Sequence, residues 1–97
     1  MPRGNSPKPL GDVLQSVIDQ LGIRPKINEA RVIETWAALA GPQINGVTTS
    51  VWMKGRRLFV KVRSAPWRQE LHMRRGEWRR RLNDELGDEL VEEIVFR

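Results

Sequence analysis

The segment from Ala65 to Leu86 constrains the fold more than any other part of the chain. Its sequence, APWRQELHMRRGEWRRRLNDEL, predicts a single helix. At about 100° per residue, its large apolar residues fall on one arc of roughly a third of the circumference. They are Trp67, Leu71, Trp78, Leu82 and Leu86. This arc predicts the face that the helix buries against the rest of the domain.

Arginine side chains border the apolar arc on both sides. Arg68, Arg75 and Arg79 lie on one side, and Arg74 and Arg81 lie on the other. Two interpretations stay open. The arginine stems can cover the edges of the core while their charged ends remain solvated. Alternatively, so dense a set of guanidinium groups forms a surface that contacts phosphates.

Charge is segregated along the chain. The segment from Lys54 to Arg81 holds eleven lysines and arginines and two glutamates, a net charge of +9. The segment from Leu82 to Arg97 holds six acidic residues and one arginine, a net charge of −5. A basic middle and an acidic end indicate two faces with different partners. The alternative is that the two segments partly neutralise each other in the folded protein.

The composition argues against catalysis and against a bound metal. The 97 residues fit one small domain, with no cysteine and a single histidine, His72. No serine has a recognisable base partner, and the acidic residues after Leu82 lack the spacing of a calcium loop. We therefore predict a non-enzymatic protein without a cofactor, a metal site or a small-molecule substrate. No apolar run is long enough to span a membrane, and we expect a cytoplasmic protein.

The remaining elements follow from hydrophobic periodicity. Residues 1–8 predict a flexible arm, and helices are predicted over 9–21 and from Asn28 to Ala40, the second ended by Gly41-Pro42. Strands are predicted over 47–53, 57–63 and 90–96. The order helix, helix, strand, strand, helix, strand predicts an α+β domain, with helices packed on one face of a three-stranded antiparallel sheet. The predicted core residues are Leu14, Trp36, Val60, Trp67, Leu71, Trp78 and Leu82.

Cations on the hairpin, the second strand and the arginine-rich helix predict a nucleic-acid interface, because phosphate contacts need positive charge at several points along a surface. The candidate residues are Lys54, Arg56, Arg57, Lys61, Arg63, Arg68, Arg74, Arg75 and Arg79. Trp52 and Phe59 lie on the hairpin strands, where an exposed ring can stack on an unpaired base. The alternative is that Trp52 packs under a helix. Nothing in the sequence indicates base-specific contacts.

An ordered set of motifs extends over nearly the whole chain. It comprises PLGDVL at 9–14, Trp36 with LAG at 39–41 and Ile44, LFVKV at 58–62, SAPWRQEL at 64–71, LN at 82–83 with LG at 86–87, and Val91 with IVF at 94–96. The set resembles the bacterial DciA family. Its most specific part is the W-x-x-E-L segment at 67–71, which follows a predicted strand and is followed by L-N-x-x-L-G.

The resemblance implies a K-homology-like domain over 9–97, DNA binding, and a partnership with the replicative helicase, whose loading on DNA the family assists. Because nothing in the sequence indicates base-specific contacts, we expect single-stranded or duplex DNA to be bound independently of sequence. One feature departs from this expectation. There is no Gly-x-x-Gly between the first two predicted helices, so the nucleic-acid loop of K-homology domains is not supported. Two other functions stay open: a protein-interaction adaptor whose basic face meets an acidic partner, and an RNA-binding module.

Overall fold

The computed structural model describes residues 24–97. In chain order, the elements are α1 (Arg24–Val47), β1 (Thr48–Lys54), β2 (Arg57–Val62), α2 (Ala65–Met73), α3 (Arg75–Leu86) and β3 (Glu93–Phe96). The predicted α+β class is confirmed. The predicted arm at 1–8 and the predicted helix at 9–21, with its core residue Leu14, lie outside the described residues.

Helix α1 is longer than the predicted helix at both ends. It extends past Gly41-Pro42, where the backbone leaves helical geometry (Gly41 φ 83°, ψ 176°) and then resumes for a short second segment. Proline cannot donate a backbone hydrogen bond, which favours a kink at this point. The Asn45 side chain donates a 2.8 Å hydrogen bond to the Ala37 carbonyl on the other side of the kink. The predicted stop at Gly41-Pro42 is therefore a kink between two helical segments.

The sheet is mixed, so the predicted antiparallel sheet is wrong for one of its strand pairs. The strand order is β1-β2-β3, with β1 antiparallel to β2 and β2 parallel to β3. The chain leaves β2, passes through α2 and α3, and returns to β3 in the same direction. Parallel neighbours require such a crossover connection, usually a helical one.

The predicted single helix from Ala65 to Leu86 is two helices. The break falls at Arg74, whose φ of −108° and ψ of 18° are not helical. Gly76 follows at the start of α3, and glycine costs about 1 kcal/mol relative to alanine inside a helix. The break lets α2 pack against β2 and β3 while α3 packs against α1 and β3.

The main core lies between the helices and one face of the sheet. Trp36 of α1 is fully buried at its centre, with its ring centroid 5.3 Å from Trp78 and 5.7 Å from Phe96. Of the predicted core residues, Trp36, Val60, Leu71 and Leu82 are buried. Trp67 and Trp78 differ from the prediction in being only half-buried, although both pack against this core.

The end of α3 positions β3. Gly87 terminates the helix with φ 75°, and its amide donates to the Asn83 carbonyl at 2.9 Å. A glycine at this left-handed position is the usual stop for a helix. The buried Asn83 side chain donates to the Val91 carbonyl at 2.8 Å and accepts from the Val91 amide at 3.0 Å. These two bonds hold the segment before β3 against the end of α3.

Candidate nucleic-acid interface

The β1–β2 turn carries the first group of predicted cations. Gly55 has a φ of 63°, as tight hairpin turns commonly require. The Arg56 guanidinium donates to the Glu89 carbonyl, and the Arg56 carbonyl accepts a 2.8 Å hydrogen bond from the Glu92 amide. Arg56 therefore ties the hairpin tip to the segment before β3, and its guanidinium already has a partner.

Carboxylates from the acidic segment hold two of the other predicted cations. Arg57 Nε lies 3.2 Å from Glu93 Oε1. Arg79 Nη1 lies 3.5 Å from Glu89 Oε1. The acidic end of the sequence thus lies beside part of the basic segment, and this placement supports partial neutralisation within the fold. Both pairs are solvent-accessible, so each contributes only about 0–1 kcal/mol to stability.

The break between α2 and α3 engages two further arginines. Arg74 Nε lies 3.8 Å from Glu70 Oε2 and 3.9 Å from Glu77 Oε1. Arg75 Nη1 donates to the His72 carbonyl at 2.9 Å and lies 3.2 Å from His72 Nε2. These side chains are exposed, but local contacts orient them along the helix surface.

The remaining predicted cations fall into two kinds. Arg68 is half-buried and donates to the Val62 carbonyl at 2.7 Å, which closes the end of β2. Lys54, Lys61 and Arg63 are exposed. Within the described part of the chain, none of these three side chains forms an ion pair or a hydrogen bond. They are the predicted cations whose charge is most available to a ligand.

Three rows of side chains cross the sheet face opposite the main core, which we call the open face. The strand pairing places Trp52 beside Phe59 and Phe59 beside Val95, and this is the middle row. The row nearer the hairpin turn consists of Lys54, Arg57 and Glu93. The row on the other side consists of Ser50, Lys61 and Arg97. Cations therefore flank the aromatic row on both sides.

The aromatic row is tightly arranged. The Trp52 and Phe59 rings are stacked, with centroids 5.4 Å apart and an interplanar angle of 6°. The Arg97 guanidinium lies 5.0 Å from the Phe59 centroid, a distance typical of cation–π contacts. Phe59 is consequently only 7% exposed, although it lies outside the main core, and Trp52 is half-buried. No helix of residues 24–97 packs over Trp52 as the alternative interpretation required, because Trp52 faces away from the main core.

The sequence patterns did not identify Arg97 as a residue of the open face. Strand alternation alone places Phe59 and Lys61 on one face of β2, and Trp52 and Lys54 on one face of β1. Arg97 joins them only because β3 runs parallel to β2. Its amide donates to the Val60 carbonyl at 2.9 Å, and its carbonyl accepts from the Val62 amide at 2.6 Å. The helical segment between the second and third predicted strands is the sequence signal that could have indicated a parallel β3, and with it the position of Arg97.

The acidic side chains and the helices of residues 24–97 bear on two other functions, metal binding and membrane insertion. In that segment, no group of three or more histidine, aspartate or glutamate side chains converges as a metal site. None of its helices combines the length and the hydropathy that a membrane span requires.

These features define a small α+β domain with a cation-rich open sheet face. The family model described as "Dna[CI] antecedent, DciA" matches residues 9–96, and the chain belongs to this DciA family. The resemblance predicted from the motifs is confirmed. The family is associated with loading of the replicative helicase in bacterial DNA replication, and its members are known as accessory proteins and not as enzymes.

One curated relative is a UPF0232 protein of Rhodococcus jostii (strain RHA1). It is 24% identical to this chain over 93 residues, which cover 96% of the chain and 50% of the relative. The chain therefore spans about half the length of this relative. No solved structure matches the chain.

Proposed function

We propose that the protein is a non-enzymatic, DNA-binding accessory factor that assists the replicative helicase in bacterial DNA replication. Membership of the DciA family over residues 9–96 carries the proposal. The DNA-binding part is supported by the net charge of +9 between Lys54 and Arg81. A K-homology-like architecture remains part of the proposal, and superposition on K-homology domains tests it.

The nine predicted cations do not contribute equally under this proposal. Of these nine, Lys54, Lys61 and Arg63 are exposed and have no ion pair or side-chain hydrogen bond within residues 24–97, and they form the accessible set. Arg74, Arg75 and Arg79 form the engaged set, because carboxylates or His72 already hold them. The accessible set contacts phosphates at lower cost, since no existing contact has to break. Such contacts carry no sequence information, so binding is independent of sequence.

A salt titration of DNA binding with two charge-matched variants tests the DNA-binding part. Each neutralised phosphate contact contributes about 0.7 to the salt slope on a single strand and about 0.9 on a duplex. Converting Lys54, Lys61 and Arg63 to Gln should flatten the plot of log affinity against log salt by about two to three units. The matched Gln variant of Arg74, Arg75 and Arg79 should flatten it less. Fluorescence anisotropy measures both slopes.

Equal slopes in the parent and in both variants would reject phosphate binding by these residues. The helicase part is tested separately, by co-purification with the replicative helicase in the presence of nuclease. Co-purification that persists after nuclease treatment supports a direct partnership. If the accessible-set variant loses the helicase while the parent shows no affinity for DNA, the protein is an adaptor for an acidic partner.

A further inference from the structure

The open face combines aromatic rings with available cations, which is the chemistry that single-stranded nucleic acid requires. Two residues along a strand span about 6.6–6.8 Å, so each basic row lies about one such step from the aromatic row. Lys54 is on one side of Trp52 and Lys61 is on the other. Proteins that bind single strands without sequence preference combine a basic track for the backbone with aromatic platforms for the bases.

We propose that this open face is a single-stranded DNA platform, on which a base stacks against Trp52 and the flanking phosphates contact Lys54, Lys61 and Arg97. The inference rests on the proposed DNA binding and deepens it by naming the form of DNA and the site. It also assigns a role to Trp52 and Arg97, two residues that the charge pattern of the arginine-rich helix does not point to.

Trp52 is the proposed stacking residue because, within residues 24–97, no neighbouring strand covers the indole face turned away from Phe59. One face of the indole lies against Phe59. Since β1 is one of the two edge strands of the sheet formed by residues 24–97, the other face lies on the side away from β2. Phe59 is less available, because Trp52 covers one side of it and the Arg97 guanidinium lies over the ring. Phe59 therefore supports one face of the indole, and the other face of Trp52 is the surface on which a base stacks.

A depression beside the aromatic row provides space for a sugar-phosphate. Its volume is about 450 Å³, and four cations line it together with Phe59 and Glu92. The cations are Lys54, Arg56, Arg57 and Arg97. Among residues 24–97, Glu92 is the one acidic residue that lines this depression, and its carboxylate would repel a phosphate. The excess of cations over carboxylates in this depression is complementary to a phosphodiester.

Duplex DNA cannot use the platform in the same way. Its bases are stacked within the helix and paired, so a protein ring reaches a base face only after unpairing. The platform therefore predicts that loss of the Trp52 ring weakens single-strand binding selectively. Loss of surface cations alone would weaken the binding of single strands and duplexes together.

The decisive experiment compares Trp52→Ala, Trp52→Phe and Trp67→Ala for binding to a thymine oligonucleotide, to a duplex of the same length and to a uracil RNA. Removal of one base–aromatic stack should reduce single-strand affinity on the order of tenfold. Trp52→Phe should restore most of the loss, and duplex affinity should stay unchanged in all three variants. Trp67→Ala is the matched control, because it removes a half-buried indole from α2, in the helix layer.

A second measurement on the unmodified protein covers the case in which Trp52→Ala does not fold. A single-stranded oligonucleotide that carries 5-iodouracil is photo-crosslinked, and the modified peptide is identified by mass spectrometry. A crosslink within residues 48–63 is expected, and a crosslink confined to 65–86 would overturn the platform.

The outcomes separate this inference from the proposed function. If the parent binds no nucleic acid, both fail. If the parent binds DNA but Trp52→Ala matches it on single strands, the platform is rejected while DNA binding stands. Tighter binding of the uracil RNA with the same dependence on Trp52 would replace DNA with RNA as the occupant.

Discussion

Asn83 links the most specific sequence motif to the geometry of the domain. In the L-N-x-x-L-G segment, Leu82 and Leu86 are buried in the main core, Asn83 holds Val91 and Gly87 ends α3. Each position has a structural reason that can be read from its contacts. The motif thus identifies the chain through residues that build the fold, and the residues that would touch a ligand lie elsewhere.

Replacing Asn83 with Ala should destabilise the domain. The substitution leaves the amide and the carbonyl of Val91 without their partners in a buried site. An unsatisfied buried polar group costs about 1–3 kcal/mol, so we expect a loss of at least that size in the free energy of unfolding. Urea denaturation followed by circular dichroism measures it.

Asn45→Ala is the matched control for this prediction. Its side chain also donates to a backbone carbonyl, that of Ala37, but the bond is exposed and water can replace it. We expect a change within about 0.5 kcal/mol. Equal losses in the two variants would show that burial of the Asn83 bonds has no special importance.

At the scale of elements, Gly87 determines where α3 ends. Its φ of 75° lies in the left-handed region, and an added Cβ would meet no atom within 4 Å. The cost of Gly87→Ala is therefore a backbone cost of about 1–2 kcal/mol. We expect the free energy of unfolding to fall by about this amount in thermal or urea denaturation.

Gly46→Ala should act in the opposite direction. Gly46 lies within α1, has no positive φ, and an added Cβ there also meets no atom within 4 Å. Inside a helix alanine is favoured over glycine by about 0.5–1 kcal/mol. Because Gly46 is the residue before the last of α1, we expect a gain no larger than this. A stabilised Gly46→Ala beside a destabilised Gly87→Ala would show that the cost at Gly87 comes from its left-handed φ and not from the added methyl group. A neutral Gly87→Ala would contradict the left-handed helix stop.

The helical and strand segments of residues 24–97 were predictable from periodicity, but the break within 65–86 and the direction of β3 were not. The apolar arc from Trp67 to Leu86 predicted the helical content of 65–86, yet the break at Arg74 depends on packing of α2 and α3 against different neighbours. The direction of β3 was also missed. A fixed side-chain alternation fits a parallel and an antiparallel strand equally, so only the helical crossover distinguishes them.

At the scale of the whole molecule, the fold redistributes the charge that the sequence segregates. The arginine-rich helix was predictable as a basic surface, and the acidic segment was predictable as a separate region. Their proximity depends on β3 lying beside β2, which brings Glu93 to Arg57, and on the loop that brings Glu89 to Arg79. As a result, the most available of the predicted cations lie on or beside the open sheet face, whereas the sequence predicted them together with the helix arginines and did not separate the two groups.

Glu93 therefore restrains Arg57 in the basic row nearest the hairpin turn. Replacing Glu93 with Gln removes a negative charge from the open face and frees the Arg57 guanidinium, whose Nε is 3.2 Å from the carboxylate. DNA affinity should rise, and the salt slope should steepen by up to about 0.7 on a single strand if Arg57 gains one phosphate contact. Stability should change by no more than about 1 kcal/mol, because the pair is exposed.

Glu34→Gln is the matched control, since it removes the same charge from an exposed position on α1, away from the sheet. Fluorescence anisotropy over a salt series should show that Glu34→Gln keeps the parent slope while Glu93→Gln steepens it. Equal gains in affinity with unchanged slopes would assign the effect to net charge alone. Weaker binding in Glu93→Gln with an intact fold would mean that the Arg57–Glu93 pair orients the arginine for DNA.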